Sequence, residues 1–253
     1  MSDQSVLEIC VETLDHAVAA ERGGAQRIEL CSDLPSGGVT PSAELMQSVR
    51  RQVSIPIHVL VRPRAGDFFY SDREFAAMQN DIRTAQQLGM NGVVLGVLRE
   101  NGHIDVERTT SLVALAGPLS TTFHRAFDAS ENFDVSLEDV IRTGASRILT
   151  SGGRQRAMES LPNLARLAQM AQDRIVLMPG GGINSENLAA VAQTTLAREF
   201  HTSVGTSQIP RNNRGNGSSG NGMLSEKESE IFQEKVAELV ALLHDLSQRR
   251  PAN

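Results

Sequence analysis

The chain of 253 residues contains no tryptophan, one tyrosine and only two cysteines, Cys10 and Cys31. Two thiols are too few for the disulfide framework of a secreted domain, and a reducing cytosol keeps such cysteines free, so a cytoplasmic location is expected. An excess of basic residues is also lacking: 24 Lys+Arg stand against 30 Asp+Glu, a net charge of −6. Phosphate backbones need a basic face, so nucleic acid is not the expected partner. No apolar run approaches the roughly 20 residues that cross a bilayer. The polar start at Met1 to Ser5 lacks the apolar core of a signal peptide, and no membrane partner is expected. Neither a Walker motif nor a Gly-x-Gly-x-x-Gly fingerprint after a first strand is present, so nothing points to a nucleotide.

What the chain does have is rhythm. Short apolar runs alternate with amphipathic stretches in a βαβα pattern that builds a parallel sheet. Eight runs are predicted as strands: Leu7–Val11, Arg27–Cys31, Ile57–Val61, Gly92–Leu95, Ser120–Phe123, Arg147–Thr150, Ile175–Met178 and Glu199–Thr202. Eight repeats with no left-over unit predict a single closed (β/α)8 TIM barrel over residues 1–253. Helix starts are marked by a capping box at Ser71 and Glu74, by Thr40 before Pro41, and by Ser225 with Glu228 opening a C-terminal closing helix over 225–248. Gly24, Gly89 and Gly144 mark left-handed helix stops. The polar, Gly- and Asn-rich segment 206–222 reads as a flexible loop after strand eight, either a lid or a segment without function.

Barrel enzymes work where strands end, so polar residues in or just after each run are the candidate site. Glu8 and Cys10 share one face of strand one, and Glu29 and Cys31 share one face of strand two. Adjacent parallel strands lie about 4.8 Å apart, so the two thiols can share a soft cation such as Cu(I), or simply fill space. Buried Glu8 and Glu29 need partners, and Arg62 and Arg125 are the candidates by position. A salt-bridge network is one reading. The other is a catalytic cup in which Glu29 or His124 handles a proton, Arg62 and Arg125 hold an anion, and Glu8, Asp128 and His201 complete the set. Ser151, Gly152, Gly181 and Gly182, at the ends of strands six and seven, suggest a cradle for a phosphorylated ligand. His16, His103 and His244 are expected on the surface, and His58 at the stability-determining end of the barrel.

Several of these residues fall in longer blocks: Leu7-Glu-Ile-Cys-Val11, Gly23-Gly-Ala-Gln-Arg-Ile-Glu-Leu-Cys31, Gly37-Gly-Val-Thr-Pro-Ser42, Arg62-Pro-Arg-Ala-Gly-Asp-Phe-Phe-Tyr-Ser-Asp72, Thr122-Phe-His-Arg-Ala-Phe-Asp128, Leu149-Thr-Ser-Gly152 and Pro179-Gly-Gly-Gly182. Together, in order, they resemble the CutC family over about residues 6–205. The resemblance implies a cytoplasmic TIM barrel tied to copper homeostasis, with Cu(I) held by Cys10 and Cys31 and a homo-oligomeric assembly. The alternative it leaves open is an enzyme of unassigned reaction on a small anionic or phosphorylated metabolite. The chain departs from the family pattern at Ala65, where glycine is usual, and in the Thr-Ser-Val-Gly-Thr stretch that follows His201.

Overall fold

The computed structural model describes residues 5–204 and 224–248. Eight strands alternate with eight helices: β1 (Val6–Val11), α1 (Leu14–Arg22), β2 (Arg27–Leu30), α2 (Ala43–Gln52), β3 (Ile57–Leu60), α3 (Asp72–Gln87), β4 (Gly92–Leu95), α4 (Val106–Ala116), β5 (Ser120–Phe123), α5 (Phe133–Thr143), β6 (Arg147–Thr150), α6 (Leu161–Ala171), β7 (Val176–Pro179), α7 (Leu188–Thr195), β8 (Glu199–Thr202) and α8 (Glu226–Gln248). Every strand pairs in parallel, in the order β7-β6-β5-β4-β3-β2-β1-β8. The ring is a nearly closed TIM barrel: at the remaining seam, β7 meets β8 through a single parallel bridge, Gly180 to His201. The predicted eight-stranded architecture is therefore present. Strand ends shift by one residue, with β7 starting at Val176 and running through Pro179.

The two-residue period of the strands sorts side chains onto two faces. Ile9, Ile28, Leu30, Val59 and Val93 point outward and pack with the buried stripes of the helices, such as Met78, Ile82 and Ala85 of α3 and Phe232, Val236, Leu239 and Leu243 of α8. The alternate positions point into the barrel, and there the chain places charge and sulfur.

Local signals explain most helix boundaries. Ser71 and Glu74 form the reciprocal capping box of α3, and Ser225 bonds reciprocally with Glu228 ahead of α8. Gly24, Gly89 and Gly144 have φ of 88°, 70° and 81°, the left-handed region that only glycine enters without steric cost. Two expectations are overturned. Ser42, not Thr40, caps α2, its hydroxyl accepting from the Leu45 N–H. Thr40 is instead tied to β3 and α3, accepting from the Arg62 N–H at 2.9 Å and donating to Asp81 at 3.0 Å. His16 is buried, not exposed: it hydrogen-bonds Thr13 at 2.9 Å and packs against the Phe232 ring at 4.8 Å, because α8 lies across α1. Segment 206–222 lies outside the described residues.

Candidate functional site

The barrel interior is layered, and its lowest layer is ionic. Arg27 on β2 donates to Glu8 on β1, its neighbour in register, and to Glu199 on β8 at 2.5 Å. Arg147 on β6 reaches the same Glu199 oxygen at 3.0 Å and the Ser120 hydroxyl at 2.7 Å. Two largely buried cations thus meet two carboxylates, and such pairing is the condition under which buried ions persist. Burial opposes the charge on Glu8, but Arg27 beside it and the hydrogen bond from His201 hold its carboxyl well below the usual range. The expectation that Arg62 and Arg125 neutralise Glu8 and Glu29 is corrected here. Both arginines leave strand ends one layer higher, whereas Arg27 stands level with Glu8.

Above this floor, Glu8 aims a histidine. Its Oε1 accepts from His201 Nδ1 at 2.8 Å, which turns Nε2 toward Glu29 Oε2 at 3.6 Å. Ligand atoms of Cys10, Glu29 and His201 all lie within 4.8 Å of one another. The Sγ atoms of Cys10 and Cys31 are 3.5 Å apart, and Leu60, Val94 and Leu34 close around them. The hydrogen bond to Cys31, burial and the nearby Glu29 push the Cys10 thiol up. Burial likewise raises Glu29. Burial would lower His201, yet the two carboxylates flanking it raise it. The cluster therefore stores protons, which a cation bound by thiolate would displace.

At the mouth, Arg62 continues from β3 and His124 from β5. The Arg62 guanidinium donates to the carbonyls of Gly38 at 2.8 Å and Gly66 at 2.7 Å, with Ser36 at 3.4 Å. Phe68 stands beside both groups, its ring centroid 4.9 Å from the Arg62 carbon and 4.9 Å from the His124 ring. His124 Nδ1 accepts from the Ala126 N–H at 3.1 Å, so its hydrogen sits on Nε2. Burial, helped by the charge of Arg62, pushes the His124 imidazolium down to about 3, so the ring is neutral.

Asp128 serves the loop after β6. Its carboxylate accepts from Arg125 Nε at 2.8 Å, from Thr150 Oγ1 at 2.5 Å, and from the N–H groups of Ser151 and Gly153 at 3.0 Å each. Gly152 N–H is taken by Thr150 Oγ1 at 2.9 Å. The amides after β6 thus already hold an internal anion. Gly181 and Gly182 after β7, with φ of 99° and 70°, face the open cleft.

The cleft over the strand ends measures about 780 Å³. It brings together Cys10, Cys31, Glu29, Arg62, His124, Arg125, Gly181, Gly182 and His201. Glu8 lies beneath it, Asp128 lines a smaller adjoining recess, and Ser151 and Gly152 are buried behind the loop. Sequence reasoning missed Arg27, although it sits two residues before Glu29 and four before Cys31, on the same inward face. It also missed Arg156 and Lys235 at the rim, for which the sequence carries no local signal.

The chain is 50% identical over 199 residues to a human protein named copper homeostasis protein cutC homolog, covering 79% of this chain and 73% of that one. A CutC family protein of Chromobacterium violaceum is 47% identical over 199 residues, covering 79% and 81%. The crystal structure of CutC from Streptococcus agalactiae superposes with a TM-score of 0.75 at 31% identity, covering 79% of this chain and 99% of that one. The family model described as CutC family matches residues 5–206. Barrel, inward cysteines and sequence agree, and the chain belongs to the CutC family.

Proposed function

We propose that the protein binds Cu(I) as cargo at the base of the cleft, held by the thiolates of Cys10 and Cys31 with His201 Nε2 as a nearby nitrogen donor. The observation that carries this reading is the 3.5 Å separation of two buried, inward-facing sulfurs on adjacent strands. Soft thiolates select Cu(I) over hard cations. The Glu8–His201 bond supports the same reading, because a metal-binding imidazole commonly donates its other N–H to a carboxylate that fixes its orientation. The copper homeostasis names of the relatives point the same way.

A cytoplasmic location belongs to this reading, since both cysteines are free thiols and a reducing compartment keeps them so. The homo-oligomer implied by the family resemblance is checked by light scattering. Anaerobic titration of Cu(I) against a competing chelator tests the site itself. Stoichiometric, tight binding is expected, lost in Cys10→Ser with Cys31→Ser; undiminished affinity in the double variant overturns the reading.

A further inference from the structure

We propose that the mouth of the cleft binds a small oxyanion-bearing metabolite, with its carboxylate or phosphate against Arg62 and one oxygen accepting the Nε2–H of His124. The first support is an imbalance of charge. The other two buried arginines facing the barrel interior, Arg27 and Arg147, each meet a carboxylate. Arg62 is 5% exposed, and among the described residues its guanidinium donates to the neutral backbone carbonyls of Ser36, Gly38 and Gly66, with the neutral Tyr70 hydroxyl beside it, and to no carboxylate. A buried cation without a counter-ion is costly, and an anion from outside supplies the missing charge. The carbonyls fix the plane of the guanidinium fork before any ligand arrives, and that fork matches an oxyanion.

The second support is a donor with nothing to donate to. His124 is 5% exposed, its Nδ1 is committed to Ala126, and its Nε2 has no hydrogen-bond partner among the described residues. A neutral imidazole with its hydrogen on Nε2 offers one directed bond to an oxygen. Phe68 lies beside Arg62 and His124 alike, so the two donors flank one aromatic wall. Farther out, Arg156 and Lys235 line the rim with Glu238, an excess of positive charge in a chain of net −6. The cleft of about 780 Å³ also has the size of a metabolite pocket, far larger than one metal ion requires.

This site does not depend on the copper reading, so it is tested on metal-free protein with a copper chelator present. Inorganic phosphate, 2-phosphoglycolate, malonate and the uncharged malonamide are titrated by calorimetry, with the His124 Nε2–H followed by nitrogen NMR. Binding of a phosphate probe or of malonate, with movement of the His124 signal and no response to malonamide, is the expected result; the tighter probe identifies the headgroup. Arg62→Lys and His124→Phe should each weaken that binding by about tenfold or more, the loss of one directed charged or neutral donor. Two results overturn the proposal. One is a His124 signal in the unsubstituted protein that no anion moves. The other is anion binding unchanged in folded Arg62→Lys and His124→Phe.

Discussion

Glu8 Oε1 stands 2.8 Å from His201 Nδ1, and the other oxygen of the same carboxylate accepts from Arg27. One acidic side chain thereby joins the ionic floor of the barrel to the imidazole that faces the cysteines. Glu8→Gln removes the charge and keeps the shape. Breaking a buried pair in this way should cost about 3 kcal/mol, read as a lower urea midpoint. If Cu(I) binds as proposed, its affinity in this variant should fall about 10- to 100-fold, as for other partners of metal-binding histidines.

Acid should destabilise the fold well before its carboxylates titrate. Burial, the largest influence on both, pushes His58 and His124 down to about 3, whereas an unfolded histidine protonates near 6.5. Between those values the unfolded chain binds more protons than the folded one, so stability rises with pH across the window and is lost as pH falls through it. Each histidine should remove about 2 kcal/mol between pH 7 and pH 5. His16, lowered by burial, adds to the slope, and His201, raised by its two carboxylates, opposes it. Urea unfolding at pH 7, 6 and 5 measures the net slope, which His124→Phe should flatten.

Asp128 organises the loop after β6 through bonds to Thr150, Ser151, Gly153 and Arg125. Asp128→Ala leaves the buried Thr150 hydroxyl and Ser151 amide without their acceptor, at a cost of about 2–4 kcal/mol. Hydrogen exchange at the Ser151 and Gly153 amides should accelerate, while Cu(I) affinity stays at its original value. Unchanged exchange at those amides would show that other groups hold the loop.

Gly153 illustrates how tightly this corner is packed. It has φ +83°, and a Cβ there would fall 2.2 Å from Phe133 Cζ. Phe133 cannot easily yield, because its ring is stacked on Phe127 at 5.6 Å. Gly153→Ala should cost about 3 kcal/mol from backbone strain and overpacking together, lowering the melting temperature by roughly 6–12 °C. Gly89→Ala is the comparison, since its φ is +70° and the added carbon meets nothing within 4 Å. It should cost only the strain, about 1 kcal/mol.

Periodicity made the barrel legible because each strand carries its two faces in alternate letters and each helix its stripe. The same alternation told which residues look inward, and it placed Cys10, Glu29 and Cys31 in one interior. Partnerships were harder to read. Pairing Glu8 with Arg62 or Arg125 rested on chain order, but ion pairs obey height along the barrel axis, and register puts Arg27 level with Glu8. Extending the inward face one step back from Glu29 would have found it. His16 shows a different limit: α1 alone looks surface-exposed at that position, and only the distant α8 covers it with Phe232. At the start of α2, Pro41 drew attention to Thr40, although Ser42 was equally suited to the cap.

Because β1 lies between β2 and β8, the first strand to leave the ribosome must wait for the last before its second edge is satisfied. At about 5–20 residues per second, translation imposes a delay of roughly 10–40 s. Cys10 and Cys31, separated by 21 positions, can meet early in a nascent half-ring, whereas His201 arrives only with β8. A stalled polypeptide ending before β8 would therefore carry the paired thiols, with Leu34, Leu60 and Val94 around them, but lack the imidazole.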